Sequence, residues 1–218
     1  MSEIEYEADH VKHSVGGRSG HIFRRFFHMG MAAIPWAYYV HGETIADLAS
    51  LTTLQFVSVI GLAAIILESL RIKTGFLIVG QREYEKHQIS ALAWGAVSIA
   101  LTIIALSPWE GSGDTHAGWL TIPIILSLTF GDPAMGEARR MGMDNQSVYA
   151  IGTIICGLIW IGCGYFLGTP YWMALLMGPL TMAAELPKLK WIDDNATCLL
   201  YTSPSPREAT LSSMTSSA

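Results

Sequence analysis

The hydrophobic positions of this chain gather into long runs separated by short polar punctuation. Six runs reach or approach the length that crosses a bilayer: residues 26–40, 51–70, 89–108, 117–130, 148–167 and 171–186. In helical form about twenty apolar residues cover a hydrocarbon core of ~30 Å. The pattern therefore predicts an all-α fold, a polytopic transmembrane helix bundle of about six spans. The first and fourth runs are short and are expected to tilt, to borrow flanking residues or to stop inside the protein. Residues 1–21 are polar and contain several glycines, which predicts a flexible N-terminal tail. No secretory signal is expected, because no small-residue cleavage site accompanies the first apolar run. The Gly16-Gly17-Arg18-Ser19-Gly20 stretch reads as a flexible linker, too short and too early for a phosphate loop.

The fourth run ends abruptly in Phe130-Gly131-Asp132-Pro133, with Arg139 and Arg140 just beyond. A carboxylate at membrane depth is costly, and unwound backbone there survives only where it lines a wet cavity or is buried in protein. The stretch is expected to break the helix, either as a span end or as the floor of a polar site.

Charge in the connecting segments is strongly asymmetric. Taking the N-terminus as inside, the inner segments carry Lys12, Arg18, Arg24 and Arg25, then Arg71, Lys73, Arg82 and Lys86, then Arg139 and Arg140, then Lys188 and Lys190. The outer loops carry Glu43, Asp47, Glu110 and Asp114 and no basic residue. Of the 13 lysines and arginines only Arg207 is left over, so the positive-inside rule predicts a cytoplasmic N-terminus. Composition agrees with a membrane protein: 51% of the 218 residues are hydrophobic, 14% are charged and the mean hydropathy is +0.37. The three cysteines, Cys156, Cys163 and Cys198, show neither a disulfide framework nor zinc spacing, and the first two read as packed thiols. No nucleic-acid motif, soluble dinucleotide fold, haem site or Ser-His-Asp arrangement is indicated.

The unusual residues collect on the side predicted to be cytoplasmic. In Arg24-Arg25-Phe26-Phe27-His28 helical spacing brings both arginines beside the imidazole. Glu68 and Arg71 lie one turn apart at the end of the second run, as a structural ion pair or as part of a site. The run from Arg82 to His87 is read as mostly solvated, with Arg82 and Glu83 set apart by their place before the third run. Gly131 and Asp132 form the third group. Glu185, Lys188 and the oxygen-rich Asp193-Asp194-Asn195 form the fourth, and such oxygens suit a hard cation such as Mg²⁺. Carboxylates for a metal, cations for phosphate oxygens and a carboxylate for an attacking hydroxyl are the parts that phosphoryl transfer needs.

The ordered set Arg24-Arg25-x-x-His28, Glu68-x-x-Arg71, Arg82-Glu83, Gly131-Asp132-Pro133-Ala134, and Glu185 followed by Asp193-Asp194-Asn195 resembles the polytopic membrane family of dolichol kinases, phytol kinases and CTP-dependent diacylglycerol kinases. The resemblance spans residues 23–197. It implies transfer of the γ-phosphate of a nucleotide, typically CTP, to a lipid or isoprenoid alcohol, with a divalent metal. It implies metal or nucleotide binding by Asp132, completed by Asp193, Asp194 and Asn195. Arg24, Arg25 and Arg82 are implied phosphate contacts, with His28, Arg71, Gly131, Arg139, Arg140 and Lys188 as further candidates on the same face. Glu68 or Glu185 would orient the lipid hydroxyl. Met135-Gly136-Glu137 stands where relatives carry a run of small residues. The Ser/Thr/Pro-rich stretch 198–218 is expected to be non-native, in place of a further apolar segment. Two other readings stay open: a CDP-lipid synthase acting on a lipid phosphate, and a non-enzymatic transporter or scaffold built on a broken helix.

Overall fold

A computed structural model describes residues 15–81, 83–110 and 116–184. Among them every regular element is helical: α1 (Gly17–Gly30), α2 (Ala33–Leu48), α3 (Thr53–Thr74), α4 (Ala91–Leu106), α5 (Thr121–Arg140), α6 (Asn145–Leu167) and α7 (Trp172–Ala184), with short 3₁₀ turns at Glu83–His87 and Ser107–Trp109. Three stretches are long and apolar enough to cross a membrane: Thr53–Thr74, Ala91–Trp109 and Asn145–Leu167. A shorter apolar helix covers Trp172–Ala183. The all-α expectation thus stands, and so does a chain with helices suited to membrane insertion.

Local chemistry sets the ends of the long helices. Thr52 and Gln55 form a reciprocal capping box at the start of α3, and Gly75 closes it in the left-handed conformation at φ 67°. Ser90 accepts from the Ala93 N–H at the start of α4. Asp144 accepts from Gln146 and Ser147 at the start of α6, and these bonds hold its carboxyl below the usual aspartate range.

The first and fourth runs differ from expectation. The first is divided, with α1 and α2 meeting at Met31-Ala32. Pro35 is the physical reason: it lacks the N–H that would bond the Met31 carbonyl, which instead takes the Ile34 N–H. α1 begins at Gly17, inside the segment expected as tail and linker. The fourth run does not break at Asp132-Pro133. α5 runs on unbroken through Pro133 to Arg140, and Gly131 is a packing position. A Cβ on Gly131 would sit 3.1 Å from Cys156 Sγ and 3.2 Å from Met182 Cε, so its absence brings α5 close to α6 and α7. At Gly152 of α6 a Cβ would collide with the Met135 and Met182 side chains, which makes the same junction tight from the other side.

α5 is the central helix. It packs on α6, which packs on α7, while α4 packs on α3. Ile99 and Ile103 of α4, Ile124 and Leu128 of α5 and Trp160 of α6 meet in the core. The Trp160 indole donates to Ser127 Oγ at 3.0 Å, which satisfies the one polar atom of that ring. Cys156 and Cys163 are buried, packed thiols, as expected.

Candidate functional site

α1 is amphipathic in an inverted sense. Ile22, Phe23, Phe26, Phe27 and Met29 are exposed, whereas Arg24, Arg25 and His28 turn toward the protein. Helical spacing produces this division, because positions 24, 25 and 28 share one face and 22, 26 and 29 share the other. The polar face of α1 lies against the last turns of α5 and the 3₁₀ turn after α3.

Arg24 reaches Glu85 at 2.6 Å, and Glu85 is 2% exposed. Arg25 pairs with Glu137 of α5, which also accepts from Arg140 Nε at 2.9 Å. The Arg25 guanidinium, followed by that of Arg140, holds the Glu137 carboxyl below the usual glutamate range. His28 Nε2 lies 3.4 Å from the Leu128 carbonyl and 3.9 Å from Asp132 Oδ2. The arginines thus reach outward to carboxylates on other elements instead of flanking His28, and the imidazole meets Asp132. Asp132 is about one-third exposed and, among the described residues, pairs with no arginine or lysine. Arg139 is exposed on the same last turns of α5 and likewise has no ion pair among them.

Glu68 and Arg71 form a different kind of pair. Arg71 donates to both Glu68 oxygens at 2.8 Å and also to the backbone carbonyls of Glu85 at 2.8 Å and Gln88 at 2.7 Å. Glu68 Oε1 in turn accepts from the Ser90 N–H at 2.6 Å, at the start of α4. Both carboxylate oxygens are occupied and both side chains are nearly buried. The pair ties the end of α3 to the start of α4 and fixes the turn that carries Glu85. Of the two alternatives for these residues, the geometry fits the structural ion pair.

The structure therefore brings three of the four sequence clusters to one end of the bundle. Arg24, Arg25, His28, Asp132, Arg139 and Arg140 gather at the α1–α5 junction, and Glu68 with Arg71 stands behind as scaffold. Arg82, Glu185, Lys188, Asp193, Asp194 and Asn195 lie outside the described residues. Among the described residues no group of three or more His, Cys, Asp or Glu side chains is placed to hold a metal ion.

Two residues of this junction escape the sequence reading. Glu85 falls in a run expected to be solvated, yet it is buried. Glu137 reads as an interruption of a motif, yet it joins α1 to α5. Its i,i+3 spacing to Arg140 was the available signal; nothing in the sequence marks Glu85. Comparison of the chain with protein-family models, with curated proteins and with solved structures finds no match.

Proposed function

We propose that this chain is an integral membrane phosphotransferase that moves the γ-phosphate of a nucleotide, CTP by the motif resemblance, onto a lipid or isoprenoid hydroxyl at the cytoplasmic face. The observation that supports this reading best is the junction of α1 and α5. There the Asp132 carboxylate remains reachable beside His28, while Arg25, Arg139 and Arg140 stand within the neighbouring turns. Cations around an accessible carboxylate, at the end of an apolar bundle, suit a phosphate-bearing reactant that meets a lipid.

The roles follow from what each group can do. Arg139 and Arg140 extend toward solvent and can hold phosphate oxygens, the guanidinium fork matching their geometry. Arg25 can exchange its partner Glu137 for a phosphate. His28 Nε2 stands 3.4 Å from Leu128 O and 3.9 Å from Asp132 Oδ2, which places the imidazole beside the carboxylate. Mg²⁺ commonly takes only one or two protein carboxylates and fills its shell with water and phosphate, so Asp132 fits as one such ligand. A divalent cation bound there would neutralise charge on the phosphate oxygens. In the transfer the lipid oxygen forms a bond to the γ-phosphorus, the bond from that phosphorus to the β–γ bridging oxygen breaks, and the nucleoside diphosphate leaves. The hydroxyl proton goes to a carboxylate. With Glu68 held by Arg71 and Ser90, the resemblance leaves Glu185 for that task.

The transporter reading drew on a broken helix, and α5 is unbroken. The test of the kinase reading is transfer of label from the γ-phosphate of CTP or ATP to a panel of lipid alcohols, using membranes that contain the full chain. The expected result is Mg²⁺-dependent labelling of a lipid with release of the nucleoside diphosphate. Cytidine in the lipid product, with release of pyrophosphate, would replace this reading with a cytidylyltransferase.

A further inference from the structure

The first half of α5 is nearly encased, except along one row. From Thr121 to Thr129 every residue is buried but Ile122 and Leu126, and the same row continues through Phe130 and Ala134. These four positions are spaced by four, so they lie along one side of the helix. Facing them on α6 are Ile155, Ile159 and Phe166, another single stripe. Between the two rows runs an apolar furrow. One hollow of about 540 Å³ is lined by Phe130, Ala134, Ile155, Leu158 and Ile159. A second, of about 410 Å³, lies between Trp36 of α2, Leu126 of α5 and Phe166 of α6. Ile159 borders both, so the two hollows adjoin along the same pair of helices.

The furrow ends at charge. Glu137 follows Ala134 by one turn on the same side of α5, a rise of about 4.5 Å, and it carries Arg25 and Arg140 with it. Among the described residues two guanidiniums meet this one carboxylate, so the Glu137 group is itself net positive. The row from Ile122 to Ala134 rises about 18 Å, close to the ~15 Å of a single leaflet, half of a ~30 Å hydrocarbon core. The lipid-suited surface of α3 is different in shape. Its exposed Val59, Leu62, Ile66 and Leu67 project from a single helix with only 11% of the span buried.

We propose that the α5–α6 furrow is the seat of one hydrocarbon chain of a membrane lipid, with an anionic phosphate head at Arg25 and Arg140. The lipid enters sideways from the leaflet at the α1 end. Its chain exchanges contact with a single helix for contact with two or three, and its phosphate replaces or shares Glu137 as the partner of the arginines. This rests on the kinase reading only in identifying the occupant with the phosphorylated product of the reaction. The seat selects for a chain about one leaflet long.

The test uses the full chain in phospholipid nanodiscs and a phosphatidate carrying a photoactivatable diazirine midway along one chain, with a phosphatidylcholine bearing the same chain as control. Adducts are mapped by peptide mass spectrometry. Phosphatidate adducts are expected on Phe130, Ile155, Leu158 and Ile159, about tenfold above those on the exposed α3 residues, a preference worth roughly one decade in affinity. Ala134→Trp, which fills the hollow, should remove the furrow adducts and leave the α3 adducts as they are. Arg140→Gln should lower phosphatidate adducts and leave the choline probe unchanged. Phosphatidate adducts spread evenly over α3 and α6 in the unaltered chain would overturn the proposal without any variant needing to fold. Lipid labelling by nucleotide without furrow adducts would sink the furrow and leave the kinase reading. Furrow adducts without nucleotide-dependent labelling would do the reverse.

Discussion

At one end of the helical body, Glu110 accepts from the backbone N–H groups of Gly118 at 3.1 Å, Leu120 at 2.9 Å and Thr121 at 2.7 Å, and from the Tyr39 hydroxyl. At the other end, Glu85 and Glu137 are gripped by arginines reaching from α1, and among the described residues Asp132 faces only an imidazole. The Glu110 arrangement is a closed account of hydrogen bonds. A carboxylate at the start of α5 serves donors that the helix leaves unsatisfied, and its charge sits favourably at the positive end of the helix dipole. At the opposite end, among the described residues, Asp132 is about one-third exposed and Arg139 is exposed without an ion pair. One end closes its hydrogen bonds within the chain; the other carries the accessible charges on which the proposed phosphate site rests.

That contrast can be broken in four ways, beginning with the largest effect. Glu68→Ala should lower unfolding stability by about 3 kcal/mol, because it leaves the nearly buried Arg71 charge without its partner. Denaturant or thermal unfolding in detergent reads it. A change no larger than that of a surface pair would mean that the polar end has no rigid scaffold behind it. Asp132→Asn should reduce nucleotide-dependent lipid phosphorylation roughly 100-fold, equivalent to about 2.7 kcal/mol in barrier height, with the melting temperature unchanged. Retained activity would place the chemistry elsewhere. Glu110→Ala should cost about 2 kcal/mol of stability, since it strips acceptors from the first turn of α5, and should leave initial rates of transfer unaltered. A loss of rate at full stability would erase the division between the two ends.

The smallest effect concerns pH. The carboxyl of Glu137 is held below its ordinary value by Arg25 and Arg140, so its folded-state pKa is the lower one. The contribution of this pair to docking α1 is therefore complete above the ordinary glutamate value of about 4.3 and is lost as pH falls through the depressed folded value. Protection of the α1 amides, taken as exchange relative to the intrinsic rate at each pH, should hold down to the ordinary glutamate range and fall below it. In Glu137→Gln that acid step should be absent, and salt should weaken the pair in the unaltered chain.

The sequence made α3, α4 and α6 legible because apolar length and local caps agreed there. Thr52 with Gln55, Ser90 and Asp144 mark their starts, and Gly75 and Gly168 mark two of their ends. Two prolines act against the apolar pattern. Pro35, inside an apolar run, divides α1 from α2, whereas Pro133, an expected breaker, sits inside α5. A proline in a helix interior costs one backbone hydrogen bond and crowds the preceding turn. Whether the helix survives depends on packing, and around Pro133 the close approach of Gly131 and Met135 to α6 and α7 supports it. The gathering of charge at one end was visible in the loop pattern. The individual pairings were not, since Arg24–Glu85 and Arg25–Glu137 join residues 61 and 112 positions apart. Separations of that size are set by how helices stack, and no local spacing encodes them.

The inverted polarity of α1 has a consequence for the order of assembly. α1 leaves the ribosome well before its partners: Glu85 comes long after it, and Asp132 and Glu137, which receive His28 and Arg25, come later still. Until α5 is made, Arg25 and His28 lack these partners. Contacts of such long sequence separation form late because the intervening chain must first be ordered. α1 therefore settles late, and this polar end of the bundle is completed only when α1 folds back onto α5.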